Sequence, residues 1–256
     1  MKKIVLIGAF LVVQTAVLFA QNADEIVKAS RDRIKSDTVS TRSRMVIYAK
    51  DGSTTERLLD QYSIDTKSGT RTVIVFQKPA SVAGTRFLTV ENKGKSGDRW
   101  IFLPSLGKIR RISSGESSGS FMGTDFSYDD VSFSDRDYTD DTHTFLREET
   151  LDGKACWVIE STPKDTTFPY SKIISWIDKS NSVSVRVHLF DKKGELSKQL
   201  DIGKLETIQG RLTPMGMKMT SVQAKTSTEV KVEIMKYNDK IPESVFTTRF
   251  LETGRP

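Results

Sequence analysis

The chain has 256 residues with a single cysteine, so no intramolecular disulfide can form; stability must come from a core, which this length can bury as one large β domain or two smaller ones. Lysine and arginine number 39 against 33 aspartate and glutamate, a formal net charge of +6 with the signs interspersed. So mild a bias excludes the concentrated basic footprint of a nucleic-acid-binding protein.

Lys2 and Lys3 precede an apolar run from Ile4 to Val13, and a second apolar stretch ends at Val17-Leu18-Phe19-Ala20. That is the charged, apolar and small-residue succession of a secretory signal peptide, too short and weakly flanked for a stable span. Cleavage is expected after Ala20, leaving a mature chain of residues 21–256; an uncleaved anchor is the alternative. No cysteine near the exit offers a site for lipid modification. Losing Lys2 and Lys3 leaves 37 cationic against 33 acidic residues, a mature net charge of +4.

From Asn22 to about Lys35 the spacing predicts an amphipathic helix, capped by Asn22 or Asp24, with Ile26, Val27 and Ile34 toward one face. Strands dominate thereafter. They are predicted over Thr41–Ala49, Glu56–Ile64, Arg71–Gln77, Arg86–Glu91, Arg99–Leu103 and Lys108–Ser113 in the first half. In the second half they are His143–Glu149, Ala155–Ser161, Lys172–Ile177, Ser184–Phe190, Leu196–Lys204, Leu212–Ser221 and Thr228–Tyr237. Asp51-Gly52, Ser68-Gly69, Ser96-Gly97-Asp98, Asp152-Gly153 and Lys193-Gly194 supply turn chemistry between many of them.

Two kinds of strand are present. Val183, Val185, Val187 and Leu189 alternate with polar residues, as do Val230, Val232 and Ile234, so each strand has a dry and a wet face. Val73-Ile74-Val75-Phe76 and Trp100-Ile101-Phe102-Leu103 are apolar on both sides and need cover on both. No repeat indicates a propeller or solenoid, and the strand spacing favours a large curved antiparallel sheet or barrel.

The segment after Leu103 is the least ordinary. Residues 113–130 are rich in glycine and serine yet carry Phe121, Met122, Phe126 and Tyr128. Apolar groups in water cost roughly 25 cal/mol per Å², so these side chains bury against something: the domain's own core, or a cavity that receives an apolar guest.

Catalytic signatures are weak. His143 and His188 belong to no zinc-binding helix motif, and His188 alternates with valines on a polar strand face. Cys156 lies in an apolar strand and reads as a buried hydrophobe. Gly115-Glu116-Ser117-Ser118-Gly119 matches the nucleophile-elbow spacing, but no helical pattern follows it. Gly94 to Asp98 lacks the glycine spacing of a phosphate loop and reads as a hairpin turn. Asp125, Asp129, Asp130, Asp135, Asp137, Asp140 and Asp141 lack the turn glycine and terminal glutamate of a calcium loop, and read as a solvated acidic connection. Neither a metal nor a cofactor is expected. Arg110 and Arg111 can fork onto a phosphate or carboxylate, or pair with nearby acids.

Trp100, Leu103-Pro104, Arg110-Arg111-Ile112, Phe121-Met122-Gly123-Thr124-Asp125-Phe126 and Asp129 together resemble the signature of the outer-membrane lipoprotein-sorting, LolA-like family. Ile241-Pro242-Glu243-Ser244-Val245-Phe246-Thr247 resembles the family's closing segment, and the resemblance spans the mature chain as one domain. It implies a half-open β-barrel: a strongly curved antiparallel sheet with short helices and loops covering the concave face. It further implies a periplasmic, non-enzymatic carrier that binds acyl chains of a lipid or lipoprotein. Its partners would be an inner-membrane export transporter and an outer-membrane acceptor. On that model Val73, Val75, Trp100, Phe102 and Trp176 line the wall and Phe121, Met122 and Phe126 form a lid. Arg110 and Arg111 would contact a head group or partner. Two other readings stand beside it: an envelope or adhesive binding protein whose barrel is filled by its own side chains, and a secreted hydrolase built on Ser117.

Overall fold

In the computed structural model of the protein the described residues are 23–92, 95–131 and 136–256. The expected leader, the Asn22 cap, Gly94 and Asp135 lie outside them. The described strands in the first half are β1 (Thr38–Tyr48), β2 (Thr54–Thr66), β3 (Gly69–Lys78), β4 (Arg86–Asn92), β5 (Lys95–Leu103) and β6 (Lys108–Arg111). After them come β7 (Asp141–Leu151), β8 (Lys154–Pro163), β9 (Lys172–Asp178), β10 (Ser184–Phe190) and β11 (Leu196–Ile202). The last four are β12 (Leu205–Ile208), β13 (Arg211–Pro214), β14 (Gly216–Ser221) and β15 (Thr226–Tyr237).

Thirteen of these strands form one antiparallel sheet in the order β6-β5-β4-β3-β2-β1-β15-β14-β11-β10-β9-β8-β7, while β12 and β13 pair separately. The order is not closed on itself: β6 and β7 are its two ends. The fold class is therefore the expected one, mainly β with one large open antiparallel sheet and a few short helices. No helix of the described residues is long and apolar enough to cross a membrane.

Three local expectations need correction. Ser96-Gly97-Asp98 is not a turn but part of β5; the chain reverses between Asn92 and Lys95, which face each other in the register. The strand expected over Leu212–Ser221 is split at Met215, whose N–H and C=O leave the β14 ladder to bond Lys204 and Val232. On β15 the dry face does not continue to Ile234. The β1–β15 register steps from Ser43↔Val232 to Arg42↔Ile234, a β-bulge that opposes one extra residue, Glu233, and reverses the parity. Ile234 is consequently 48% exposed, and Tyr237 turns inward.

The chain divides into two compact units. One holds residues 23–33 with Tyr138–Ser197. Here helix α1 (residues 23–32) lays Ala23, Ile26 and Val27 against Ile159 and Ile177, the expected apolar stripe. Ile34 lies past the end of that helix. His143 is buried between Ser161 Oγ (2.7 Å) and the Tyr138 carbonyl (2.8 Å). Cys156 is fully buried, and burial pushes its thiol pKa up, as suits a core side chain. Val183, Val185, Val187 and Leu189 are all buried, as their alternation requires.

The second unit holds Ile34–Asp137 with Lys198–Pro256. The pairings Val73↔Leu88 and Leu88↔Trp100 place these residues on one face of β3, β4 and β5, together with Phe102. The C-terminal segment seals that face: Val245 and Phe246 from a 3₁₀ turn (Glu243–Phe246), and Phe250 and Leu251 from a six-residue helix (Thr248–Thr253). The Thr247 hydroxyl caps the helix by accepting from the Phe250 N–H (3.2 Å). Gly254 ends it in the left-handed conformation that favours glycine (φ 66°). Ile74, Phe76, Phe87 and Ile101, of the opposite parity, occupy the other face and are also buried.

Candidate functional site

That other face is covered by the glycine- and serine-rich segment. Phe121, 1% exposed, sets its ring 5.7 Å from Phe76, 5.1 Å from Phe87 and 5.5 Å from Tyr128. Burying one such ring contributes about 2 kcal/mol or more at 25 cal/mol per Å². At the loop's apex Met122 (φ 53°) and Gly123 (φ 76°) are both left-handed; glycine adopts this freely, whereas a methionine there costs about 1 kcal/mol. Phe126 is buried, and its carbonyl accepts from the Phe121 N–H (2.7 Å), closing the turn.

Polar side chains hold the cover down. Asp125 accepts from the hydroxyls of Thr226 (2.5 Å) and Thr228 (2.7 Å) on β15. Asp129 accepts from Ser117 Oγ (2.9 Å) and lies 3.2 Å from the Arg99 guanidinium of β5. Asp130 meets Lys198 of β11 at 2.5 Å and accepts from the Ser127 N–H at 2.7 Å. These carboxylates and Asp141 are buried, which corrects the expected solvated acidic connection at those four positions, while Asp137 is exposed and Asp140 partly so. Buried carboxylates need compensating partners: Asp129 and Asp130 have a cation and hydrogen-bond donors, and Asp125 has two hydroxyl donors. Burial pushes the Asp129 carboxyl pKa up, against the pull of Arg99 and Ser117. Among the described residues no group of acids, histidines and cysteine is arranged to hold a metal ion.

Ser117, the residue at the elbow-like spacing, is a buried fastening. Its hydroxyl reaches the Ser114 carbonyl (2.9 Å) and Asp129, and it sits in consecutive turns rather than between a strand and a helix. Glu116 ties the loop's entrance by accepting from the Ser113 N–H (3.1 Å) and hydroxyl (2.8 Å) and from Arg110. The Ser113 N–H, then its hydroxyl and Arg110, hold the Glu116 carboxyl at about 2. A depressed carboxylate pKa stabilises above the unfolded value of 4.5, and that contribution is lost as pH falls toward 2. NMR titration should therefore place the Glu116 midpoint near 2; a midpoint at 4.5 would show the loop entrance untied.

The structure separates the residues singled out from sequence into three groups. Val73, Val75, Trp100 and Phe102 lie together on the face under the C-terminal segment. Phe121, Met122 and Phe126 belong to the cover on the opposite face. Trp176, in the other unit, stacks edge-on against His188 at 4.6 Å. Arg110 and Arg111 are exposed and paired with Glu116 and Asp98. Phe76, Phe87 and Arg57, the residues under the cover, were not singled out. The one sequence signal, for Phe76 alone, was that β3 is apolar on both sides; which of its sides meets the loop depends on pairing register.

A family model described as "-like: Uncharacterized protein" matches residues 68–253. A solved domain from Vibrio parahaemolyticus assigned to outer membrane lipoprotein sorting is 27% identical with a TM-score of 0.85, covering 91% of this chain and 99% of its own. A DUF1329 family protein from Desulfovibrio piger is 25% identical with a TM-score of 0.86, at the same coverages of 91% and 99%. A LolA superfamily protein from Nitrosomonas europaea shares the fold at 21% identity and a TM-score of 0.74, covering 89% of this chain and 98% of its own. No curated protein matches.

Proposed function

Because the chain belongs to the family whose model spans residues 68–253, and its fold is that of lipoprotein-sorting, LolA-like domains, we propose that it is a non-catalytic periplasmic carrier. It would be made with a leader over residues 1–20 and act as a single domain from residue 21. It takes acyl chains of a lipid or lipoprotein onto an apolar surface and passes them between inner and outer membrane, from an export transporter to an acceptor.

One observation carries this reading. An apolar cover, Phe121 with Phe126, is fastened over an apolar sheet face by side-chain pairs rather than by strand pairing. Such fastenings exchange for water at small net cost, about 1 kcal/mol per hydrogen bond, so the cover can lift without unravelling the sheet. Each methylene shielded beneath it would be worth about 0.8 kcal/mol. Met122, flexible and half-buried at the apex, suits contact with an irregular guest. Val73, Val75, Trp100 and Phe102, under the C-terminal segment, and Trp176, in the other unit, lie outside the ground beneath the cover and are candidates for hydrocarbon contact in their own right, with Arg110 and Arg111 as candidate contacts for a head group or partner.

A second reading has its own support: Phe121 already fills the space between Phe76, Phe87 and Tyr128, as in a barrel plugged by native side chains that serves as an envelope or adhesive binding protein. Native mass spectrometry after delipidation and challenge with phospholipid separates the two. A carrier gains mass in units of bound acyl ligand, and Met122→Asp lowers that uptake several-fold while leaving the melting temperature within a few degrees. A plugged protein gains none.

A further inference from the structure

Arg57 lies on β2 under the cover. Its neighbour across β1 is Met45, and its guanidinium carbon sits 5.7 Å over the Phe76 ring. A side chain built at Gly123, the loop apex, would come within 4.0 Å of its Nη2. Nε and Nη1 are buried and, among the described residues, hydrogen-bond to nothing. Burial pushes the Arg57 pKa down, and no carboxylate offsets that effect.

The buried acids of the cover are engaged elsewhere: Asp125 with two threonines, Asp129 with Ser117 and Arg99, Asp130 with Lys198. Arg57 is half-buried, with two of its guanidinium nitrogens out of water and without an acceptor, which is unfavourable for a cation; its presence under a displaceable cover calls for an anion that arrives with the ligand. A planar guanidinium with free N–H groups takes the oxygens of a carboxylate or phosphate side-on or end-on. The rings beside it offer a surface for hydrocarbon.

We propose that Arg57 receives the oxyanion head group of an acyl amphiphile whose chain lies along Phe76 and Phe87. This rests on the carrier reading and narrows it, since an uncharged acyl group would leave Arg57 unsatisfied.

Calorimetric titration of the full mature chain with decyl phosphate, decanoate, decanol and inorganic phosphate, each as monomer in solution, tests it. The two anionic decyl ligands are expected to bind at least tenfold more tightly than decanol. Arg57→Gln should abolish that preference and leave decanol binding within twofold. Should Arg57→Gln fail to fold, Arg57→Lys, which keeps the charge, is expected to retain a reduced preference. Equal affinity for decanol and decyl phosphate, a preference that survives Arg57→Gln, or inorganic phosphate binding as tightly as decyl phosphate would overturn the proposal while sparing the carrier reading. Failure of every decyl ligand to bind would contradict both.

Discussion

Replacing Lys198 with methionine should destabilise the protein by about 3 kcal/mol and release the loop before the sheet melts. The reason is asymmetric. The Asp130 side chain is 2% exposed and the Lys198 side chain 15%, so removing the cation takes a close ion pair from a buried carboxylate. Removing both charges with Asp130→Asn and Lys198→Met should recover much of the loss, because replacing a buried pair by uncharged groups is close to neutral. Urea unfolding gives the magnitudes, and limited proteolysis locates the change: in Lys198→Met, cleavage should appear within residues 113–131. Equal stability in the single and double variants would show that the pair does not hold the cover.

Phe121→Ala has the other large expected effect. A phenylalanine truncated in a packed core costs about 3 kcal/mol or more, and this ring has three aromatic neighbours within 6 Å. If the ring occupies the place a hydrocarbon chain takes, its removal should also raise acyl uptake even as the melting temperature falls. Uptake absent before and after truncation, with the same loss of stability, would identify Phe121 as core and support the plugged reading.

Much of the fold was legible because period-2 patterning and turn residues are local. The strand at Ser184–Phe190 was bounded correctly by its valine alternation and flanking polar residues. What sequence could not show depends on pairing. Ile234 fits the dry face of its strand until one bulge residue on β15 reverses the parity. Val73 and Phe76 are equally apolar, and only the register with Leu88 and Leu59 assigns one to the C-terminal segment and the other to the loop. The aspartates of the loop had the composition of a solvated connection. Their partners Lys198, Thr226 and Thr228 lie 68 to 103 residues away, and no local pattern reports such contacts. Arg57 was hidden for the same reason: its isolation is a property of the packed state.

Amide hydrogen exchange with and without a bound acyl ligand tests the central claim most directly. The Phe121, Thr124 and Asp129 amides are each hydrogen-bonded within the loop, to the Phe126, Phe121 and Ser117 carbonyls. If the segment is a cover that yields to hydrocarbon, these amides lose protection when ligand binds, while those of β3 and β4 stay protected. Unchanged protection of all three in a protein that demonstrably carries ligand would contradict the account.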